Sequence, residues 1–102
     1  MKRKLPLAVS SGLKKLGADI KKARLRRRLK ISVIADRAGV GRETVAKIQK
    51  GDSGVGIGNY AAVIFAVGLG VDWMNLADIE NDNIGRILDE ERIPLRARDN
   101  KG

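Results

Sequence analysis

The sequence predicts an all-α fold. The chain has only three aromatic residues, Tyr60, Phe65 and Trp73. Its core must therefore be built from Leu, Ile, Val and Ala, which suits packed helices better than a sheet. Apolar residues recur at helical spacing, and Gly39, Gly51 and Gly68 stand where successive helical runs stop. At 102 residues there is room for one modest core.

Residues 1–11 form a basic arm, expected to be flexible: Lys2, Arg3 and Lys4, then Pro6, with no apolar period. From Leu13 to Leu29 apolar residues at 13, 16, 20, 23, 25 and 29 make a helical stripe. Lys14, Lys15, Lys21, Lys22, Arg26, Arg27 and Arg28 occupy the other side. Seven like charges on one helix repel each other, and such a face is best matched to phosphate. A second helix runs from Ile31 or Ser32 to Ala38 and a third from Arg42 to Lys50. Residues 51–58, GDSGVGIG, are a loop. No Lys-Ser/Thr follows those glycines, and Asn59 stands where a dinucleotide-binding loop needs its third Gly, so nucleotide binding is not expected. Asn59 is read as the cap of a fourth helix, Tyr60 to Val67, apolar all round and so buried. A fifth begins at Val71 or Asp72 and ends near Asp78. After a polar turn, Ile84, Ile87 and Leu88 give a last short helix with an acidic tip, halted by Pro94. The organisation read from this pattern is an arm (1–11), a domain (12–79) and a C-terminal helix with a polar tail (80–102).

The charge is lopsided. Residues 1–51 hold 16 Lys and Arg against three acids, a surplus of +13, while residues 52–102 hold five against nine, a surplus of −4. A basic front and an acidic back imply one face for a polyanion and another for a different contact. With neither Cys nor His, disulfides and catalytic Cys or His chemistry are out of reach, and no metal, cofactor or enzymatic activity is expected. The chain shows no membrane-length apolar run and no signal-peptide pattern, which points to a cytoplasmic protein.

Residues 31–50, ISVIADRAGVGRETVAKIQK, carry the most specific pattern. Ala35 lets two helices cross closely, Gly39 reverses the chain within about three residues, and Val45 plugs the second helix onto the first. On the exposed side of that second helix, Arg42 and Lys47 can grip guanine O6 and N7, while Glu43 has three roles open to it: accepting from cytosine N4, repelling phosphate, or simply favouring the positive start of the helix. Thr44 and Ala46 are placed to touch thymine methyls. Lys21, Lys22, Arg26, Arg27, Lys30 and Lys50 are candidate phosphate contacts, which position without specifying.

The stretch from about Leu16 to Leu76, with "LGADIKKARLRRRLKISVIADRAGVGRETVAKIQKGD" at its heart, resembles the Xre/Cro/cI family of DNA-binding domains. That resemblance implies a five-helix Cro/cI-like fold, here with an extra C-terminal helix, whose third helix reads bases through Arg42, Glu43 and Lys47. Two departures stand out. Lys30 and Ile31 replace the family's Ser/Thr cap and Gln. Arg24 keeps the family's first-helix arginine, but Gln49 replaces its glutamate partner, so a hydrogen bond takes the place of an ion pair. The ending "NIGRILDEERIPLRAR" resembles HipB-type antitoxins, which repress their own operon and pair with a HipA-type serine/threonine kinase toxin. The reading is a dimeric repressor of double-stranded operator DNA, and an antitoxin to such a kinase. The alternative within the class is a stand-alone regulator; outside it, an adaptor that only grips a protein. Leu69, Trp73 and Met74, or Ile84, Ile87 and Leu88, are the candidate dimer contacts, with Ile84 favoured for the chain's own core.

Overall fold

The computed structural model describes residues 4–96, with side chains up to Arg92 in the last helix. Lys2 and Arg3 of the basic arm, and the part of the polar tail at residues 97–102, lie outside the described residues. Every regular element among the described residues is helical: α1 (Leu7–Arg26), α2 (Ile31–Ala38), α3 (Arg42–Gln49), α4 (Ile57–Val67), two short 3₁₀ segments (Asp72–Ala77 and Ile79–Asn81) and α5 (Asn83–Arg96). None of these helices is long and apolar enough to cross a membrane. The chain divides into two units, one ending at Val71 and the other beginning at Asp72. The division falls earlier than the boundary at 79/80 expected from the apolar pattern.

In the first unit α2 packs against α4 and α3, and α3 packs against α1. The core is Ile20 and Ala23 of α1, Ile34 and Ala35 of α2, Val45 and Ile48 of α3, and Tyr60, Val63, Ile64, Ala66 and Val67 of α4. The Tyr60 hydroxyl donates to the Asp52 carbonyl at 2.8 Å, tying α4 to the loop before it.

Helix α1 begins at Leu7, so the arm is shorter than the eleven residues expected from sequence. Pro6 makes the boundary: it has no N–H to offer a preceding turn, and its carbonyl accepts from Val9 and Ser10, both at 3.0 Å. The first turns leave Leu7 and Val9 exposed, which is why no apolar period betrays them. The buried stripe also differs in part. It consists of Gly17, Ile20, Ala23 and Arg24, with Leu13 half-buried, while Leu16 and Leu25 are 38% and 53% exposed.

Gly17 explains the rotation. A Cβ there would run into the Ile48 carbonyl oxygen and lie 2.6 Å from Gly51 N and 2.8 Å from Gln49 O. A Cβ on Gly51 would likewise collide with the Leu13 carbonyl, with Lys14 Cα at 2.6 Å. The α1 backbone therefore rests directly on the end of α3, and a bulkier stripe could not approach so closely.

Helices α1 to α4 close alike. In each, an N–H reaches back five residues to a carbonyl: Leu29 to Arg24, Val40 to Ala35, Asp52 to Lys47 and Leu69 to Ile64, at 3.0–3.1 Å. This closure needs a left-handed residue just before the donor. Glycine supplies it after α2, α3 and α4, but after α1 it is Arg28, at φ 55.

Four expectations are corrected in the later chain. Helix α4 starts at Ile57 behind Gly56, so Asn59 lies within its first turn and is not its cap. Nor is α4 buried all round, since Ile57 is 73% and Phe65 65% exposed. Pro94 does not halt α5: in its last turn a proline deletes one backbone bond while its φ remains helical. In the second unit no described residue is buried. Asp78 accepts from the Glu80 N–H and Asp82 from the Gly85 N–H, capping the second 3₁₀ segment and α5. Ile84, expected in the core, is 71% exposed, because the unit is too small to enclose one.

Gly17→Ala adds a better helix former, yet it should destabilise by about 1–3 kcal/mol through the backbone clash. Urea unfolding checks this, and a gain in stability would contradict the packing. Arg28→Gly, at an exposed left-handed position, should stabilise by about 0.5–1 kcal/mol, read as a raised Tm.

Candidate nucleic-acid interface

The α2–α3 connection is three residues, Gly39, Val40 and Gly41. Gly39 sits at φ 70, a conformation costly for other residues, and the 3.0 Å bond from the Val40 N–H to the Ala35 carbonyl turns the chain at once into α3. Ala35, 5% exposed, lies at the junction as its small size demands, and Val45 is buried opposite. The two short helices form the compact hairpin that the sequence pattern predicts.

Three contacts hold α3 by one side: Val45 and Ile48 in the core, the backbone seat on Gly17, and Arg24. The Arg24 side chain is buried. Its Nε donates to Gln49 Oε1 at 2.8 Å and its Nη1 to the Leu29 carbonyl at 2.9 Å. One guanidinium thus ties the end of α3 to the segment leading into α2. The hydrogen bond expected between Arg24 and Gln49 is present.

With that side fixed, the 3.6-residue turn directs Glu43, Ala46, Lys47 and Lys50 away from the core. Arg42, Glu43, Lys47 and Lys50 are exposed, while Thr44 and Ala46 are half-buried on its margins. Among the described residues, Arg42, Glu43 and Lys47 make no side-chain hydrogen bond or ion pair, although Glu43 and Lys47 are four apart. Neither α2 nor α3 has a side-chain N-cap. Lys30 and Gly41 stand at those positions, so the first amides of both helices stay available to an anion.

The α1 cations do not form one face. Lys14 and Lys21, seven residues apart, share a flank. Lys14 also lines an open hollow of about 300 Å³ with Lys50, Asp52, Ser10, Leu13 and Ser53, which brings Lys14 and the Lys50 that caps α3 to one site with a carboxylate between them. Lys22 and Arg26 turn instead to the side of Asp19. That carboxylate is held below its usual pKa, first by the hydrogen bond from Lys15 at 2.6 Å and then by the charges of Lys15, Lys22 and Arg26. Arg27 folds back, donating through Nη1 to the Ala23 carbonyl at 3.1 Å. Lys30 is exposed at the start of α2. The sequence pattern places Lys14 and Arg28 on the basic side of α1 without singling them out as phosphate contacts. Lys14 became distinguishable only through its proximity to Lys50, and Arg28 through its left-handed backbone.

Gln49→Ala should cost about 1–3 kcal/mol, because it strands a buried charged donor. Gln49→Glu should retain most of the stability by accepting the same bond, and thermal unfolding of the two variants side by side checks both.

No protein-family model, curated protein or solved structure matches this chain, so its function has to be read from its own residues.

Proposed function

We propose that this protein binds double-stranded DNA sequence-specifically through α3, as a two-fold dimer that represses transcription from an inverted-repeat operator. The observation that carries the reading is an α2–turn–α3 hairpin whose second helix is clamped on one side and offers unpaired Arg42, Glu43 and Lys47 on the other. Base readout needs polar groups held rigidly and left unsatisfied until a base edge arrives. The +13 surplus of residues 1–51 supports a polyanionic partner, and Lys14, Lys21, Lys30 and Lys50 supply phosphate contacts around the reading helix. Lys22, Arg26 and Arg27 are the weaker phosphate candidates, since the first two flank Asp19 and the last is engaged with its own helix. One short helix reads few bases, so two of them spaced about 34 Å apart suit an inverted repeat.

The second unit supports a protein partner in addition. Met74, Leu76, Ile79, Ile84, Ile87 and Leu88 are all exposed, and leaving so much apolar surface in water costs more than docking it on another chain. With the HipB-like ending, this favours the antitoxin role, in which a HipA-type kinase toxin docks on α5 while the first unit stays on DNA. A stand-alone regulator is the alternative.

Arg42→Ala and Lys47→Ala should each cost about 1–3 kcal/mol at one operator position and relax preference there, measured by titrating single-base operator variants. Lys50→Ala should instead weaken all sequences alike and reduce the salt slope by about one. Equal loss on every sequence from Arg42→Ala would reassign Arg42 to phosphate. Co-purification with the product of the neighbouring gene tests the toxin partner.

A further inference from the structure

We infer that the outer face of α4 is the surface on which a second copy of this chain packs, with the two α4 helices antiparallel and crossing at Ala61. This deepens the reading of the protein as a dimer on an inverted repeat, and rests on it.

Ile57, Ala61 and Phe65 are spaced at i, i+4 and i+8, one row along α4. Tyr60, Val63, Ile64, Ala66 and Val67, on the side that adjoins this row beyond Ile57, already hold the helix in its own core. Ile57 and Phe65 are the most exposed large apolar side chains of that helix, so they contribute nothing to this chain's core.

Charge selects the occupant. Copies of a +9 chain repel each other, and they can meet only where neither brings cations to the contact. From Ser53 to Val71 the chain carries no charged residue, in a protein that is 32% charged. Helix α4 is the one α-helix among the described residues without a charge, whereas α1, α2, α3 and α5 each carry at least two. A partner chosen for opposite charge would find nothing to pair with on α4. The copy, with an identical neutral face, meets no repulsion there.

Shape agrees. The row reads large, small, large. In a two-fold contact residue i meets residue j of the copy and j meets i. A crossing at Ala61 sets each Ile57 against the copy's Phe65, and the small central side chain allows the helix axes to approach. The face of α5 is different in kind, because charges of both signs, Arg86, Asp89, Glu90, Glu91 and Arg92, stand around its apolar row.

The test is made on the full chain without DNA. Sedimentation equilibrium of the unaltered protein should give a dimer at micromolar concentration. Phe65→Arg should weaken dimerisation by more than ~100-fold, because each copy loses its anchor and gains a charge. Ile57→Lys should do the same, while Ile87→Arg in α5 should leave the dimer intact. Circular dichroism should remain unchanged, since both α4 side chains stand in solvent. The chain has no cysteine, so Ala61→Cys should yield a disulfide-linked dimer on mild oxidation, and this readout does not depend on the charged variants. A monomeric unaltered protein, or a dimer indifferent to both Phe65→Arg and Ile57→Lys, overturns the assignment. A dimer lost with Ile87→Arg moves the interface to α5 and also overturns it. DNA reading is scored separately: monomeric Phe65→Arg should keep base preference on a half-site. If the dimer behaves as stated but binds no DNA, the operator reading falls and this surface stands.

Discussion

Where α1 crosses the end of α3, the two backbones touch. Gly17 lies against Ile48 O and Gly51 N, and Gly51 lies against Leu13 O. This contact sets the tilt of α3, and the α2–α3 hairpin follows because α2 is joined to α3 by three residues. Two glycines facing each other leave no side chain that could act as a spacer, so the separation is set by covalent geometry and the helices have one way to sit. The exposed row of α3 inherits that precision. A helix mounted on flexible side chains would be placed less sharply.

Arg24 adds direction to this proximity. A buried guanidinium is costly unless its donors are used, and here Gln49 and the Leu29 carbonyl accept from it. The amide of Gln49 is neutral, so the cation is not cancelled locally. Its positive charge adds to the field of the basic front, whereas a glutamate would remove it. The arrangement trades some Coulomb attraction inside the protein for a larger surplus towards a polyanion.

The two exposed apolar regions differ in physical kind. Helix α4 is anchored in the core of the first unit and shows a narrow, neutral row to solvent. The second unit buries none of its described residues. It consists of short capped turns and an amphipathic helix whose apolar side chains Ile84, Ile87 and Leu88 are exposed. On these proposals, a second copy and a different partner would each have a separate face.

The all-α class, the places where α2, α3 and α4 end, the hairpin at Gly39 and the set of exposed cations were all legible in the sequence. Each depends on a local property: residue volume, backbone freedom at glycine, or spacing along a helical turn. The hydrogen bond between Arg24 and Gln49 was legible through resemblance. The rotation of α1 was not, because a pattern count ranks Leu16 and Leu25 above Gly17 and Arg24, and only the neighbouring helix rewards the absence of a Cβ. The exposure of Ile57, Phe65 and Ile84 was hidden for the same reason, since apolar character does not say which side finds a partner. The start of α1 at Leu7 was hidden because those turns bury nothing and leave no period. The sequence by itself determined what each segment becomes. Which faces meet was decided by the tertiary structure, because burial is a property of pairs of surfaces and a single segment carries only one of them.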